Sequence, residues 1–254
     1  VLAAVGSALY WTFIALTSLL LFPVAVLIWL VTRPFDPRTR ALHAFTCFWA
    51  SLYTWLNPVW RVRVSGREHI RPGATYVMVA NHLSLVDILV LFRLFVPFAW
   101  VSKEENFAVP LIGWNMRLNG YIPLRRGDKA SAAVMMDACR RTLREGTSIM
   151  MFPEGTRSRT GELQPFKPGA FTLALETGLP LLPIVLDGSA QALPKSGWVL
   201  RGRHLITVEV LAEVRPAPDA DLAELVDDVR EVFVAALSRH RGAAAPGPPA
   251  DSAA

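Results

Sequence analysis

The stretch TYVMVANHLSLVD, Thr75 to Asp87, changes character twice within a few residues. Its first part, TYVMVA, is a short apolar run. That is the texture of a buried strand. Asn81 and His82 then interrupt it, and Ser84 with Asp87 forms the S-x-x-D spacing that opens helices. Strand, polar turn and helix start follow one another without a spacer, which is the unit from which α/β sheets are built. The capping reading accounts for Ser84 and Asp87 but leaves Asn81 and His82 unexplained. A second reading is compatible with it. His82 sits in the strand-to-helix turn, where open α/β sheets gather their sites. Asp87, in the first helical turn, reaches back to one imidazole nitrogen, fixes the tautomer and leaves the other nitrogen to take a proton.

Working outward, the same alternation recurs. TSIMMF, LLPIVL and LITVEVL are further apolar runs of strand length, and RVRVSG alternates and ends in a turn. Helical stretches lie between them. DKASAAVMMDACRRTLREG carries Asp128 at the cap position and Gly146 just past its end, PGAFTLALETG closes on Gly178, and Asp219 to Arg239 is amphipathic. The expected fold is α/β, with a mixed, largely parallel sheet flanked by helices. Three regions are expected: 1–60 as membrane-embedded or interfacial helices, 61–240 as the catalytic domain, and 241–254, which is rich in Ala and Pro, as a disordered tail.

The N-terminal region is where the grease lies. Leu9 to Val31 contains no charged residue, enough to cover roughly 30 Å of hydrocarbon. It is too long for the apolar core of a signal peptide. Arg33, Arg38 and Arg40 follow at once and mark a cytoplasmic side by the positive-inside rule. The next stretch, Ala41 to Trp60, holds Phe45, Phe48, Trp49, Tyr53, Trp55 and Trp60, a density suited to the membrane–water interface. The net charge of +5 suits an anionic membrane surface, an anionic substrate or nucleic acid. Cys47 and Cys139 sit in apolar or helical contexts without pairing or metal-ligand spacing, and read as reduced core or membrane residues.

Three more stretches carry candidate chemistry. FPEGTRS, Phe152 to Ser158, follows a strand-like run. Gly155 in a tight turn lets backbone N–H groups face outward as an anion nest, Arg157 adds a fork of donors for phosphate, and Glu154 is placed to accept from a substrate hydroxyl. The plainer reading is a polar turn with a surface Glu–Arg pair. In GYIPLRRGD, Arg125 and Arg126 end a strand-like run and read either as a phosphate site or as solvated charges. LLPIVLDGS has Pro183 inside an apolar run, which favours an edge or bulged strand in the core. A nucleophile elbow, G-x-S-x-G, does not accompany His82, so the substrate's own hydroxyl is the expected nucleophile.

In order and spacing, the stretch from about Arg61 to Trp198 resembles the glycerolipid acyltransferase family, specifically the 1-acylglycerol-3-phosphate acyltransferases. Asn81, His82, Ser84 and Asp87 match the family's N-H-x-S-x-x-D block, and Phe152 to Ser158 match F-P-E-G-T-R-S. Gly120 and Arg126 match the block G-x-x-x-I-D-R, in which Leu124 and Arg125 replace Ile and Asp. Lys103 and Glu105 match K-x-E-L, with Asn106 in place of leucine; Leu182, Pro183 and Ile184 match the last block.

The resemblance implies His82 as general base and Asp87 as its partner. It implies substrate contacts from Asn81, Ser84, Lys103, Arg126, Glu154, Gly155, Thr156 and Arg157. The implied reaction moves a fatty acyl group from acyl-CoA or acyl carrier protein to the sn-2 hydroxyl of lysophosphatidic acid, giving phosphatidic acid. The thioester is a co-substrate, and no metal or other cofactor is implied. The expected partners are these substrates and membrane lipid, not nucleic acid, with the catalytic domain on the cytoplasmic face of the inner membrane. The alternatives are another lysolipid acceptor, such as a lysophospholipid or lyso-ornithine lipid, and a non-catalytic lipid-binding membrane protein.

Overall fold

The computed structural model describes residues 2–194, 197–200 and 202–244. The chain begins with two helices, α1 (Leu2–Thr32) and α2 (Arg40–Trp55), joined by a short turn into a hairpin. Then come β1 (Trp60–Ser65), β2 (Val77–Ala80), α3 (Val86–Leu91), β3 (Phe98–Lys103), α4 (Ile112–Leu118), β4 (Ile122–Leu124), α5 (Lys129–Arg144) and β5 (Ser148–Met151). The last elements are α6 (Gly169–Thr177), β6 (Leu181–Asp187), α7 (Ser189–Ala192), β7 (His204–Val210) and α8 (Leu222–Ala244).

Among the described residues, seven strands form one sheet in the order β1-β7-β6-β2-β5-β3-β4. Neighbours run parallel except β6 and β7. The expected mixed, largely parallel sheet is therefore present. Val77 to Ala80 are buried throughout, as a strand covered on both faces must be. The helix punctuation also holds. The Asp128 carboxylate accepts from the Ser131 N–H at 3.1 Å, and Met135, Cys139 and Leu143 form the buried stripe of α5. Gly178 ends α6 in the left-handed conformation. Helix α8 continues past the expected end at Arg239 to Ala244, and the rest of the predicted tail lies outside the described residues.

Pro183 departs from one expectation, because β6 is an interior strand rather than an edge. The bulge alternative explains how it is accommodated. Toward β7, Ile184 pairs with Val210 and Leu181 with Val214, so three residues oppose two across Pro183. The missing N–H falls at that irregularity, while the Pro183 carbonyl accepts from the Leu211 N–H at 2.9 Å.

Helix α1 is long and apolar enough to cross a membrane. One face, through Ser7, Tyr10, Ile14, Ser18 and Ala25, packs on the rest of the protein, while Leu9, Leu16, Leu20, Val24 and Leu27 are exposed. The Tyr10 hydroxyl donates to the Tyr53 carbonyl of α2 at 2.6 Å. Cys47 and Ala50 of α2 in turn lie in the core of the sheet domain.

Candidate active site

Five adjacent strands, β6, β2, β5, β3 and β4, run in the same direction, so their carboxyl ends open on one edge of the sheet. Each end carries a candidate: Ser189 after β6, His82 after β2, the Glu154–Arg157 turn after β5, Lys103 at the end of β3, and Arg126 after β4. Open α/β sheets bind ligands at this edge because the turns there are free to diverge.

His82 and Asp87 meet as expected. The Nδ1 of His82 lies 2.9 Å from Asp87 Oδ2, and Asp87 is fully buried. The same oxygen accepts from the backbone N–H groups of Leu83 (2.6 Å) and Ser84 (2.7 Å). The bond from the Ser84 N–H is half of the anticipated capping box. The Ser84 hydroxyl does not complete it; it donates to the Leu193 carbonyl at 2.6 Å. With a carboxylate at Nδ1, the proton resides on that nitrogen, and Nε2 is left as the acceptor. The imidazole stacks on Phe152 at 3.9 Å and 8°, which fixes its plane.

The second oxygen of Asp87 accepts from the Ser189 hydroxyl. Sequence reading passed over Ser189. The signal available was the Asp-Gly-Ser that ends LLPIVLDGS. Gly188 has φ +80°, and a Cβ there would lie 2.0 Å from the Leu205 carbonyl oxygen. Only glycine lets β6 turn into α7 so sharply, and that turn sets Ser189 against Asp87.

His82 lines a cavity of 620 Å³, a volume within the range of small-molecule sites. Lys103, Arg126, Thr156 and Arg157 line it too, so the predicted cations converge. Most of its remaining wall is apolar, and includes Leu89, Phe92, Trp100, Met116 and Phe152 of the sheet domain, with Thr46, Ser102, Asn106 and Asn115 as polar interruptions. Tyr10, Ile14, Trp49 and Ala50 of the first two helices close it. Arg125, beside Arg126, turns away and pairs with Glu104 at 2.8 Å. This separates the two arginines that the sequence left together.

Four residues of the predicted substrate set do something else. The Asn81 side chain makes two bonds to the Leu186 backbone, donating to its carbonyl (2.8 Å) and accepting from its N–H (2.7 Å), which clamps β2 to β6. Ser84 is fully buried and tied to Leu193, as described. Glu154 is buried, with one oxygen accepting from the His82 N–H at 2.7 Å and the other from the Gln164 N–H at 3.0 Å. It is a brace between the two motif turns rather than an acceptor for a substrate hydroxyl. Burial pushes its carboxyl up to about 7, against the lowering effect of those two N–H groups. Gly155 has the expected positive φ, but its N–H closes the turn on the Phe152 carbonyl at 2.9 Å and does not face outward. The cation set at the cavity therefore comes from side chains.

A buried His–Asp pair, with cations and an apolar chamber in one cavity, is equipped for proton removal beside an amphiphilic anion. The family model described as Acyltransferase matches residues 61–187, half of the chain, and the chain belongs to the acyltransferase family. It is 34% identical over 238 residues to a 1-acyl-sn-glycerol-3-phosphate acyltransferase of Chlamydomonas reinhardtii, covering 93% of this chain and 70% of that one. It is 40% identical over 162 residues to a chloroplastic 1-acyl-sn-glycerol-3-phosphate acyltransferase of Arabidopsis thaliana, covering 63% of this chain and 45% of that one. The crystal structure of the 1-acyl-sn-glycerophosphate acyltransferase PlsC from Thermotoga maritima shares the fold. The TM-score is 0.77 at 22% identity, over 97% of this chain and 99% of that one.

Proposed function

We propose that the chain transfers a fatty acyl group from a coenzyme A or acyl-carrier-protein thioester to the sn-2 hydroxyl of 1-acylglycerol-3-phosphate, giving phosphatidic acid. The observation that carries this reading is the shared cavity. His82 lines the same cavity as the cations Lys103, Arg126 and Arg157 and a largely apolar wall. An acceptor with its phosphate on the cations and its acyl chain in the apolar part presents its glycerol hydroxyl near His82.

Nε2 of His82 takes the hydroxyl proton as the oxygen attacks the thioester carbonyl. The carbon–sulfur bond then breaks, and the imidazolium returns its proton to the departing sulfur, which leaves as the thiol and restores neutral His82. Asp87 stabilises that imidazolium, and Ser189, Leu83 and Ser84 hold Asp87. General base catalysis supplies ~10²–10⁴-fold, and alignment of two bound substrates supplies much of the rest. The transfer is direct in this scheme. Cys47 and Cys139 are both buried and neither lines the cavity.

The membrane face follows from α1. Its packed face runs most of its length, which favours a shallow hairpin with the exposed stripe in lipid over a crossing. Because Tyr10, Trp11 and Ile14 of α1 form part of the cavity wall, a lysolipid can enter sideways from the leaflet. Arg33, Arg38 and Arg40 favour the cytoplasmic face of the inner membrane, where the thioester donors are made.

An acceptor panel with labelled acyl-CoA and purified protein tests this. 1-Acylglycerol-3-phosphate is expected to be the preferred acceptor, and Arg157→Lys is expected to raise its KM more than that of the donor. Preference for a lysophosphatidylcholine or a lyso-ornithine lipid would reassign the acceptor.

A further inference from the structure

Helices α2 and α4 meet through a set of polar side chains in an otherwise apolar part of the molecule. Thr46, Asn115 and Asn119 are all more than nine-tenths buried, and Thr46 and Asn115 line the cavity among apolar residues such as Ala50 and Met116. The Thr46 hydroxyl is fully used. It donates to the Leu42 carbonyl at 3.0 Å and accepts from the side-chain amides of Asn115 and Asn119, both at 3.1 Å. The Asn119 NH2 is used as well, reaching the Asn115 backbone carbonyl at 2.9 Å and Asn115 Oδ1 at 3.2 Å.

Two groups in the cluster have capacity left. Asn119 Oδ1 is buried and has no hydrogen-bond partner among the described residues. Asn115 spends one of its two N–H groups on Thr46 and one lone pair of Oδ1 on Asn119. One donor and one acceptor therefore remain on a residue that lines the cavity. Tying α2 to α4 does not explain this remainder. A buried acceptor without a donor is destabilising, and apolar side chains of similar shape would hold two helices together without that cost. The spare groups match a hydroxyl, which accepts one hydrogen bond and donates another.

The position of the cluster says which part of a substrate carries that hydroxyl. Thr46, Asn115 and Asn119 come from α2 and the end of α4, whereas Lys103, Arg126 and Arg157 come from the end of β3 and the turns after β4 and β5. On α2, Thr46 lies two turns, about 10 Å, from Tyr53, where Tyr10 of α1 joins the cavity wall. With the phosphate on the cations and the glycerol hydroxyl at His82, an acyl chain is the part of the ligand left for this end.

We propose that Thr46, Asn115 and Asn119 form a subsite for a hydroxyl group on a substrate's acyl chain, so that the chamber favours a hydroxylated chain over a plain one. The hydroxyl accepts from the free Asn115 N–H and donates to the side-chain oxygen of Asn115 or Asn119, while Thr46 holds both amides in place. The thioester donor and the lysolipid each bring an acyl chain, and the chemistry recognised is the same in either. The inference rests on the reading that the cavity holds an acyl chain beside His82.

The test uses the full chain and mixed substrates, whose product ratios give relative kcat/KM directly. In one arm palmitoyl-CoA competes with monohydroxypalmitoyl-CoA for a plain 1-acylglycerol-3-phosphate, the hydroxyl being moved along the chain from one donor to the next. In the other arm the hydroxyl is carried by the acyl chain of the acceptor and the donor is plain. A hydroxyl at one position is expected to be favoured about 3- to 10-fold, the worth of one net hydrogen bond, and the arm that shows it identifies whose chain reaches the cluster. Asn115→Leu removes both spare groups of that residue and is expected to bring the ratio below one, because an unpaired hydroxyl is then buried against apolar wall. The ratio compares two substrates on the same folded molecules, so a loss of folded protein does not alter it. Preferences below about 2-fold at every position in both arms would overturn the proposal and leave the cluster a helix tie that holds an ordered water only. Retention of the wild-type preference by Asn115→Leu would overturn it too. If plain palmitoyl-CoA and plain 1-acylglycerol-3-phosphate give no product with wild type, the reading of the cavity fails and this inference falls with it.

Discussion

Replacing Asp87 with Asn probes the proton-transfer machinery with the least disturbance of shape. Asp87 is fully buried and accepts from His82 Nδ1, the Leu83 and Ser84 N–H groups, and the Ser189 hydroxyl. An asparagine that keeps its oxygen at the Oδ2 position still serves the first three donors. Its NH2 then faces Ser189, whose hydroxyl turns round to accept. The tautomer of His82 is thus preserved, and what disappears is the negative charge. Opposite charges about 4 Å apart interact at roughly 4 kcal/mol for an effective dielectric near 20. That much stabilisation of the imidazolium corresponds to about 10³ in rate. The assay is kcat for acyl transfer at saturating acceptor, with thermal unfolding of both proteins. Asp87→Asn is expected to melt within a few degrees of wild type and to lose kcat by about 10³-fold. A variant that keeps more than a tenth of wild-type kcat would show that the imidazolium needs no carboxylate, and the assigned role of Asp87 would fail.

The two neighbouring arginines separate cleanly. Arg126→Ala is expected to raise the KM for the phosphate-bearing acceptor about 10-fold or more, whereas Arg125→Ala, at an exposed pair with Glu104, is expected to change it less than about 2-fold. Equal effects would remove Arg126 from the phosphate site. Glu154 gives a pH prediction. Its carboxyl is raised to about 7 from 4.5, so its stabilising contribution is complete below 4.5 and is lost as pH rises through 7. The full swing is about 3 kcal/mol at most. Glu154→Gln has no such titration, and turns an NH2 toward one of the two N–H groups, which costs about 1–3 kcal/mol. Melting curves of both proteins between pH 5 and 8 are expected to show wild type losing its advantage as pH rises; a constant gap would refute the shift.

How much of this was legible in the sequence depended on range. Local signals were read correctly: the cap at Asp128, the glycine ending α6, and the His82–Asp87 contact, which spans a single turn. Strand β3 was not separated out, because Ile88 to Val101 is almost unbroken apolar sequence and periodicity cannot divide it. Ser189 reaches Asp87 across about a hundred residues, and only the sheet order brings them together. Asn81 and Glu154 were legible as motif members but not as clamps, since their backbone partners, Leu186 and Gln164, carry no side-chain signature of the bond. The cavity wall drawn from α1 and α2 was likewise hidden, because apolar residues facing a cavity and facing lipid look alike in sequence.

The central claim is that His82 removes the proton from the acceptor hydroxyl. Formation of phosphatidic acid from labelled acyl-CoA and 1-acylglycerol-3-phosphate, compared between wild type and His82→Ala at equal folded concentration, tests it most directly. Wild type is expected to form product, and the variant, still folded at the assay temperature, to be slower by ~10²-fold or more. Product formation by His82→Ala at more than a tenth of the wild-type rate would contradict the claim.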